Sequence, residues 1–566
     1  MHRWPIVLLL GGCWAALFAA DGDAPLTPQQ AVRRMKAPEG FRVELVAGEP
    51  AVQKPIAMTT DERGRVWVVE SHSYPNWITN GRPGKDRVLI FEPDRAGGWT
   101  RKVFLDNGTN LSGIAVGHGG VWLCAIPNLL FIPYRPGDDR PAGPPQVVLD
   151  GWSLQCKHNV VNGLNWGPDG WLYGMHGIVA RSDVGAPGTP ADKRTPLDCA
   201  VWRYHPTAKR FEVVASGTTN PWGLDWDEYG ELFITNCVIK HLFHVVPGAH
   251  FVRMYGQDLN PNTYGLIESC ADHIHWGGGS WTDSRGGKGA HSTAGGGHAH
   301  AGALFYLGDN WPATYRNRIF MCNLHGSRLN QDRLEPAGSS YTARHCDDFL
   351  FANDPWFRGL GLMLGADGGV FVSDWHDTGE CHNYDKTHPS GRIYRVTFGS
   401  PRYPTIDLAA KSGADLVELQ RHRSDWYVRQ ARRVLAERAA AGKLSSDVAP
   451  RRCGGSWKRR RTRRGSLQAL WALHAIGKTD AAGLLGLLRD DRGPGAGVGG
   501  AAAGRRAERV GGDGGPVDRP CGQRESARQS GWRRSVGIAE ARSRLLAAGR
   551  GAWLPTPRTP PIRTCR

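Results

Sequence analysis

A polar turn followed by an apolar strand is predicted by Asp61-Glu-Arg-Gly-Arg-Val-Trp-Val-Val69. The glycine permits a tight turn, and the aromatic and β-branched residues after it are typical of a half-buried β-strand. The pattern returns at intervals of roughly 50–60 residues, the length of a four-stranded propeller blade with long loops. Further copies lie at residues 117–124, 168–173, 227–234 and 366–372, and residues 318–322 form a sixth copy without the glycine turn.

These copies predict a mainly-β fold, a six-bladed β-propeller over residues 35–400. The intervening segments supply the remaining strands of each blade, and the 22 tryptophans of the chain suit the wedge-shaped spaces between blades. The main body is therefore expected to be a closed ring of sheets with functional loops gathered around a central channel.

The pattern changes after Pro401, where apolar residues begin to recur at helical spacing. Two such stretches, residues 415–440 and 466–489, predict a short helical segment of HEAT-like repeats over 405–491, interrupted at 449–465. So few helices bury little surface by themselves, so we expect them to dock on the propeller. Residues 492–566 lose all periodicity, which indicates a low-complexity basic tail that is disordered or results from a shifted reading frame.

The positive charge of the chain is concentrated in its last part. The chain has 70 Lys and Arg against 53 Asp and Glu, a formal net charge of +17. Residues 449–566 contain 25 basic and 8 acidic residues, whereas residues 1–448 contain 45 of each. A body without net positive charge has no field that attracts phosphate, so we predict no nucleic-acid partner.

The N-terminus has the pattern of an export signal. Arg3 precedes a short apolar stretch, and small residues follow it near Ala20, so residues 1–20 are predicted to be a signal peptide. The segment Leu10-Gly-Gly-Cys13 also resembles a lipobox, which would lipidate Cys13. We therefore expect an exported protein, periplasmic or at the cell surface, that reaches a membrane only through a lipid anchor or a partner.

A histidine precedes one of the predicted strands in Lys157-His158-Asn-Val-Val-Asn-Gly-Leu-Asn-Trp-Gly-Pro-Asp-Gly170. Loops at this position gather at one face of a propeller, where His158 could act as a general base on a substrate hydroxyl. The alternative is a loop histidine that only caps backbone groups. Asn220, before a proline turn, could likewise present its amide to the channel or serve turn formation alone.

Histidine pairs spaced two residues apart are the third candidate. Asp272, His273 and His275 form one such group, and His298 and His300 form another between glycines. Residues two apart point to the same side of a strand, so these side chains could bind a transition metal. The alternative is a polar pocket in which the histidines hydrogen-bond to loops.

Polar clusters directly follow two further apolar strands. They include His325 and Arg328 in one segment, and Asp374 and His376 in the other. Propellers place functional loops at this position, although the same residues could form hydrogen bonds between blades. We expect a channel-lining set made up of His298, His300, His325, Asp374 and His376.

Taken together, these motifs resemble a family of membrane-bound dehydrogenases, large secreted bacterial proteins that join a propeller to HEAT-like repeats and a cytochrome c-like tail. The similarity covers about residues 35–440. The segments that carry it are Pro38-Glu-Gly-Phe41, Val66-Trp-Val-Val-Glu70, Thr219-Asn-Pro-Trp-Gly223, Asp272-His-Ile-His-Trp276, Gly295-Gly-Gly-His-Ala-His-Ala-Gly302, Gly308-Asp-Asn-Trp-Pro312 and Asp374-Trp-His-Asp-Thr-Gly-Glu-Cys-His382.

The family is in turn distantly similar to soluble quinoprotein glucose/sorbosone dehydrogenases, which use pyrroloquinoline quinone (PQQ) and calcium. The resemblance implies His158 as the catalytic base and Asn220 as a cofactor contact. Thr219 stands where that family has an arginine, so Lys157 or Arg328 would supply the missing cation. No CxxCH haem motif occurs in the chain, so an external electron acceptor such as a cytochrome c would be needed.

The resemblance thus implies an oxidoreductase that acts on a sugar or another polyol with a quinone-type cofactor. A second hypothesis is a non-catalytic propeller that binds carbohydrate or protein at the cell surface, because propellers often bind without catalysis. A third, a metal-dependent hydrolase, depends on the histidine pairs alone.

Overall fold

We analysed a computed structural model, which describes residues 24–238, 240–379, 389–444, 448 and 463–479. The predicted fold class is confirmed, because the described residues form a mainly-β, six-bladed propeller followed by helices. The proposed signal peptide and basic tail, and the interruption at 449–465 apart from residues 463–465, lie outside the described residues.

The chain begins with helix α1 (Pro28–Arg34) and strand β1 (Phe41–Gly48), and then enters the first blade. Blade 1 contains β2 (Pro55–Thr60), β3 (Val66–Glu70), β4 (Asp86–Pro93) and β5 (Trp99–Gly108). Blade 2 contains β6 (Leu111–Gly117), β7 (Gly120–Ala125), β8 (Asn128–Pro133) and β9 (Gln146–Leu149). Both blades are antiparallel meanders in strict chain order.

The strand that follows blade 4 in the chain joins the sheet of blade 3. Blade 3 contains β10 (Asn162–Trp166), β11 (Leu172–His176), β14 (Ala200–His205) and β15 (Arg210–Thr218), with the hairpin β12 (Ser182–Val184) and β13 (Thr195–Leu197) inserted. Blade 4 contains β16 (Pro221–Trp226), β17 (Leu232–Asn236) and β18 (Leu242–Val245). The following strand, β19 (Ala249–Arg253), pairs in parallel with β15 at the outer edge of blade 3.

The last two blades close the ring. Blade 5 contains β20 (His300–Phe305), β21 (Arg318–Asn323), β22 (Arg328–Ala337) and β23 (Ser340–His345), and β24 (Leu350–Phe351) also pairs with β22. Blade 6 contains β25 (Gly359–Leu364), β26 (Val370–Asp374) and β27 (Arg392–Phe398). Its outer strand is β1, which pairs antiparallel with β27 from Phe41 opposite Phe398 onward.

The six copies of the turn-and-strand pattern coincide with the second strand of each blade: β3, β7, β11, β17, β21 and β26. The expectation that these strands are half-buried is wrong, because almost every residue in them is buried. A second strand has neighbouring blades over both of its faces. Its alternating residues therefore enter two different cores instead of one core and solvent.

The first strands of the blades, β2, β6, β10, β16, β20 and β25, form a ring around the channel. Glycines allow this close approach: a Cβ at Gly113 in β6 would lie 2.2 Å from the carbonyl oxygen of Gly163 in the next blade. Gly223 in β16 has a φ of +140° and lies similarly close to the backbone of blade 5. Backbones therefore meet where side chains would keep them apart.

A four-residue helix, α2 (Ala290–Thr293), precedes β20. Among the described residues, three helices follow the propeller: α3 (Gly413–Glu418), α4 (Asp425–Ala440) and α5 (Arg463–Ala475). The same residues include four short 3₁₀ turns: Ala191–Lys193, Trp281–Ser284, Ala313–Tyr315 and Leu419–Arg421. The assignment of α3–α5 to HEAT-like repeats stays a prediction.

Helix α4 covers the channel where the first strands end. Trp426 donates its indole N–H to Thr60 at the end of β2, at 2.9 Å. Arg429 lies 2.5 Å from Asp225 at the end of β16, and Arg433 pairs with Glu62 at 3.0 Å. The docking expected from the sequence is thus made largely by buried ion pairs. Among the described residues, no helix is both long and apolar enough to span a membrane.

Candidate functional site

A pocket of about 690 Å³ opens at the other end of the channel, where the first strands begin. Its lining comes from loops of several blades that converge on the axis. We call it the channel-mouth pocket. Its lining side chains include Tyr74, His158, Asn220, Trp222, Trp375 and Asp377. It brings together His158 and Asn220, two of the predicted site residues.

The backbone at Asn220 is fixed by Asn236, and the side-chain oxygen of Asn220 is left without a partner among the described residues. The peptide N–H groups of Thr219 and Asn220 both donate to the side-chain oxygen of Asn236, at 3.1 and 2.8 Å. Asn220 is only 5% exposed, and its Oδ1 has no hydrogen-bond partner among the described residues. A Cβ at Gly177 would lie 2.8 Å from that oxygen, so the glycine keeps the space beside it open. A buried acceptor without a donor is costly unless a ligand supplies the donor.

His158 lies in the loop that precedes β10, and its neighbour fixes the loop. The Asn159 side chain donates to the carbonyl of Ile178 at 2.8 Å, and the N–H of Gly177 donates to the carbonyl of Asn159 at 3.1 Å. The half-buried His158 ring is therefore carried by a loop tied to blade 3. Lys157 does not line the pocket: it is exposed, and its carbonyl accepts the indole N–H of Trp77 at 3.1 Å.

Aromatic rings form the walls of the pocket. Tyr74 and Trp375 meet edge to face, with ring centroids 5.4 Å apart, and Trp222 also lines the pocket. Such faces bind the C–H surfaces of flat or ring-shaped ligands, while few polar groups fix the orientation. The combination of aromatic walls with His158, Asn220 and Asp377 suits a polyhydroxy compound.

The residues present do not fit PQQ with calcium. PQQ is a tricarboxylate, and the cation among the described lining residues is Arg358. Its guanidinium already donates to four backbone carbonyls, those of Pro355, Phe357, Thr378 and Gly379, at 2.8–3.2 Å. Calcium prefers six or more oxygen ligands, and the described lining residues offer only the carboxylate of Asp377 and the amide oxygen of Asn220 as side-chain carboxylate or amide oxygens.

Asp374 and His376 stand behind the pocket and brace the loop that supplies Trp375 and Asp377. One oxygen of Asp374 accepts the N–H groups of Arg358 and His376, at 2.8 and 2.9 Å. The His376 ring lies 2.9 Å from the Ser390 hydroxyl. Burial raises the pKa of Asp374 against the influence of nearby cations. The sequence placed Asp374 and His376 in the channel lining, but they are completely buried under it.

His298, His325 and Arg328 form part of a separate polar group in blade 5. The Ser284 hydroxyl lies 2.6 Å from Nδ1 of His298 and 2.9 Å from Nδ1 of His325. Arg328 pairs with Asp348 at 2.7 Å and with the 284–297 region through the Ser292 carbonyl. These residues do not line the channel-mouth pocket, so Arg328 does not supply a cation there.

A second constellation lies between blades 4 and 5, and we call it the histidine–aspartate cluster: His241, His273, His275 and Asp332. One ligand atom from each residue lies within 4.8 Å of those of the others. His241 precedes β18, Asp332 belongs to β22, and the other two histidines come from the 254–299 connection. His241, His275 and Asp332 are buried.

Asp332 is the carboxylate around which the cluster is arranged. Its Oδ2 lies 2.9 Å from Nε2 of His241, and its Oδ1 lies 3.4 Å from Nε2 of His273. The rings of His241 and His275 stack with centroids 4.4 Å apart. Asp332 Oδ1 and His273 Nε2 are buried atoms without a hydrogen-bond partner among the described residues.

Two more histidines flank the cluster. Both ring nitrogens of His275 have a histidine neighbour. Its Nδ1 lies 2.7 Å from Nε2 of His300, and its Nε2 lies 3.1 Å from Nδ1 of His345. The His300 ring also meets the side-chain oxygen of Asn330 at 3.2 Å. Five imidazoles therefore surround one carboxylate in a largely buried space.

Burial lowers the pKa of His241, and it lowers the pKa values of His275 and His300 well below the ordinary imidazole value. Burial would raise the pKa of Asp332, but the neighbouring imidazoles outweigh it and hold that pKa well below its usual range. Burial would lower the pKa of His273, but its contacts with carboxylates, Asp332 foremost, outweigh burial and raise that pKa. Among the four residues, an ionised carboxylate and two imidazoles kept neutral by burial are thus in the forms that bind metals.

The sequence grouped His273 and His275 correctly in space but chose a different carboxylate. Asp272 faces the surface, where it bonds to His273 at 2.9 Å and pairs with Arg344. His241 was missed because it stands alone, before Leu242, without a spacing signal. Tyr74, Trp375 and Arg358 were also missed, since only the fold brings their loops to the channel mouth.

Several solved structures are similar to this chain. The PQQ-bound aldose sugar dehydrogenase of Streptomyces coelicolor is 16% identical, with a TM-score of 0.42, over 64% of this chain and 99% of that one. A protein assigned as an oxidoreductase (glucose dehydrogenase) of Thermus thermophilus is 18% identical, with a TM-score of 0.41, over 63% and 99%. The holo PQQ domain of pyranose dehydrogenase from Coprinopsis cinerea is 14% identical, with a TM-score of 0.38, over 64% and 97%.

A search of the curated proteins gives no match. Residues 27–399, well over half of the chain, match the family model described as a domain of unknown function, DUF7133, and the chain therefore belongs to that family.

Proposed function

We propose that the protein is an exported oxidoreductase that binds a sugar or another polyol in the channel-mouth pocket and oxidises one of its hydroxyl groups. The observation that carries the proposal is the buried, unpartnered Oδ1 of Asn220, a residue that lines the same pocket as His158. A ligand hydroxyl is the donor that this oxygen lacks among the described residues. The signal-peptide pattern of residues 1–20 supports export to the periplasm or cell surface.

Each residue of the pocket has a separate task in this proposal. Asn220 accepts a hydrogen bond from one substrate hydroxyl and fixes the ring, while Tyr74, Trp222 and Trp375 cover its apolar faces and exclude water. His158 takes the proton of a second hydroxyl as the carbon beneath it loses hydride, so that an alcohol becomes a carbonyl. A quinone-type cofactor, when bound, would supply the hydride acceptor, and an external carrier such as a cytochrome c would take up the electrons.

A second candidate function is carbohydrate binding without turnover. It is favoured by one observation: four backbone carbonyls already accept hydrogen bonds from Arg358, the cation of the described lining, so few of its donors remain for an anionic cofactor. Binding needs only the aromatic walls and the amide of Asn220. The two candidates therefore share the pocket and differ in the role of His158.

Both candidate functions require that a sugar or polyol binds in the channel-mouth pocket. Calorimetric titration of the purified chain with a panel of sugars and polyols tests this binding. We expect binding that weakens at least about tenfold in Asn220→Ala, since one ligand hydrogen bond in a buried site contributes about 1.5 kcal/mol. Asn107→Ala, an exposed asparagine on β5, serves as the control. Failure of every sugar and polyol to bind would remove the proposal.

Dye reduction with PQQ and calcium, and separately with uncharged quinones, then distinguishes the two candidates. Oxidation that falls at least about a hundredfold in His158→Gln, with binding retained, supports the dehydrogenase, because a general base contributes a factor of this order. Binding without any dye reduction supports the carbohydrate-binding propeller. PQQ with calcium is included because the resemblance to quinoprotein dehydrogenases implies it.

A further inference from the structure

We propose that the histidine–aspartate cluster binds one divalent first-row transition-metal ion, of the zinc or iron kind, and that this ion fastens the 254–299 connection to blades 4 and 5. The inference does not depend on the proposed oxidation, because the cluster lies outside the lining of the channel-mouth pocket.

The donor set selects the class of metal. Three imidazoles and one carboxylate suit zinc, iron and similar ions, whereas calcium and magnesium prefer oxygen ligands throughout. In a tetrahedral zinc site with bonds of about 2.0–2.1 Å, neighbouring ligand atoms lie about 3.3 Å apart. The atoms of the cluster lie within 4.8 Å of one another, so shifts of about 1 Å or less per side chain would close the site.

The cluster also has the unpartnered atoms that a ligand site requires. Nε2 of His273 and Oδ1 of Asp332 are buried, 3.4 Å apart, and lack hydrogen-bond partners among the described residues. Oδ2 of Asp332 is oriented by His241, and the flanking His300 and His345 surround His275. Flanking hydrogen-bonding groups of this kind commonly orient metal ligands.

The 254–299 connection is the segment that such an ion would hold. It joins β19 to β20 through 46 residues, of which only one 3₁₀ turn and one four-residue helix are regular. Seven of the twelve large apolar side chains that are exposed among the described residues belong to it: Met254, Tyr255, Leu259, Tyr264, Leu266, Ile267 and Ile274. A segment that exposes its apolar residues gains little from burial, so other contacts hold it. Backbone hydrogen bonds join Cys270 to Leu242 at 3.1 Å and Asp272 to Ala343 at 3.2 Å, and an ion bound beside them would add to this attachment.

The four ligand residues belong to the three parts of the chain that the ion would connect. His273 and His275 belong to the connection, His241 to the turn between β17 and β18 in blade 4, and Asp332 to β22 in blade 5. Four protein ligands fill a tetrahedral site and leave no open position, which is the arrangement of a structural metal site. We therefore assign the ion a stabilising role and no part in catalysis.

The experiment uses the full chain without an affinity tag, because a histidine tag binds the same ions. Elemental mass spectrometry is expected to find about one transition-metal ion per chain after incubation with Zn²⁺ or Fe²⁺ and desalting. Asp332→Asn and His241→Gln should each weaken metal affinity at least about tenfold. His244→Gln is the matched control, because His244 is also buried, stands on β18 and pairs with Glu231 at 3.0 Å.

A cobalt titration of the wild-type chain keeps the test independent of variant folding. Binding of Co²⁺ in a tetrahedral nitrogen and oxygen site is expected to give visible d–d absorption that saturates at about one equivalent, and Zn²⁺ should abolish it. A chelator should also accelerate proteolytic cleavage within residues 254–299, and Zn²⁺ should reverse this. The proposal is overturned if the wild-type chain retains no ion and shows no cobalt spectrum, or if Asp332→Asn and His241→Gln keep full metal content.

Discussion

His176, at the end of β11, is a completely buried histidine whose ring contacts the Ser182 hydroxyl through Nε2 at 3.1 Å. Burial lowers its pKa to about 4. The folded protein therefore keeps this ring neutral at a pH where the unfolded chain, with an ordinary pKa of about 6.5, takes up a proton. The contribution of His176 to stability is complete above pH 6.5 and is lost as the pH falls from 6.5 towards 4.

We predict that His176→Gln makes the stability of the protein less sensitive to acid. Between pH 7.5 and 5.0, the wild-type free energy of unfolding should fall by about 2 kcal/mol more than that of the variant, from the two pKa values. Urea unfolding at both pH values measures the difference. His72→Gln, at a half-exposed position, is the control and should retain the wild-type pH dependence. Equal losses in wild type and His176→Gln would show that His176 does not titrate as described.

Residue types and local order allowed part of the site to be predicted. His158 and Asn220 were found because each stands directly before a first strand, and all first strands begin at the same mouth. Asp332 could not be chosen over Asp272 from the sequence, because the two lie 60 positions apart and only the packing of blade 5 brings the former to His273. Asp272 does contact His273, but it lies at the surface and outside the cluster.

At the scale of elements, α4 is fixed to the propeller by charges that are removed from solvent. Arg429 lies 2.5 Å from Asp225 and 2.6 Å from Asp425. Burial raises the pKa of Asp225 against the effect of the nearby arginine. Its second oxygen accepts the N–H of Phe305 at 2.8 Å, so this one carboxylate connects blade 4, blade 5 and the helix.

We expect Arg429→Met to destabilise the protein by about 3–5 kcal/mol, because it leaves Asp225 buried without its cation. Adding Asp225→Asn should recover more than half of that loss, since the neutral amide keeps an acceptor for Phe305 and needs no countercharge. Chemical unfolding of both variants gives the comparison. Arg421→Met, which breaks the solvent-exposed pair with Glu418, should cost less than about 1 kcal/mol. If Arg429→Met destabilised the protein as little as Arg421→Met, α4 would not be held by the pair of Arg429 and Asp225.

The strands show which elements a local pattern predicts and which it does not. Five of the six second strands were found because a glycine turn and an aromatic–aliphatic run identify them without reference to the rest of the chain, and the sixth, β21, was found from its apolar run alone. The crossing of β19 to the edge of blade 3 has no such signal, since parallel pairing with β15 depends on residues about 35 positions away. The role of β1 in blade 6 was equally invisible, because its partner lies more than 340 positions later.

At the scale of the whole molecule, the ring is closed by strands from both ends of the propeller. β1 supplies the outer strand of blade 6, and Phe41 packs edge to face against the rings of Trp311, Phe349 and Phe398 at 5.0–5.3 Å. Blade 6 therefore joins the start of the propeller to its end, and no exposed edge of β27 remains for other chains to pair with.

A chain that begins at residue 49 lacks β1, and we expect its thermal unfolding midpoint to fall by at least about 10 °C or the protein to aggregate. The truncation removes the edge-to-face contacts of the half-buried Phe41, and the freed edge of β27 becomes available for intermolecular pairing. Light scattering and calorimetry measure both effects. A synthetic peptide of residues 36–48 should restore a monomer by re-forming the strand, whereas the same peptide with Phe41→Ser should not. A chain that begins at residue 24 keeps β1 and should unfold at the wild-type midpoint. If the chain that begins at residue 49 matched it, blade 6 would have to be complete without β1, contrary to the pairing of β1 with β27.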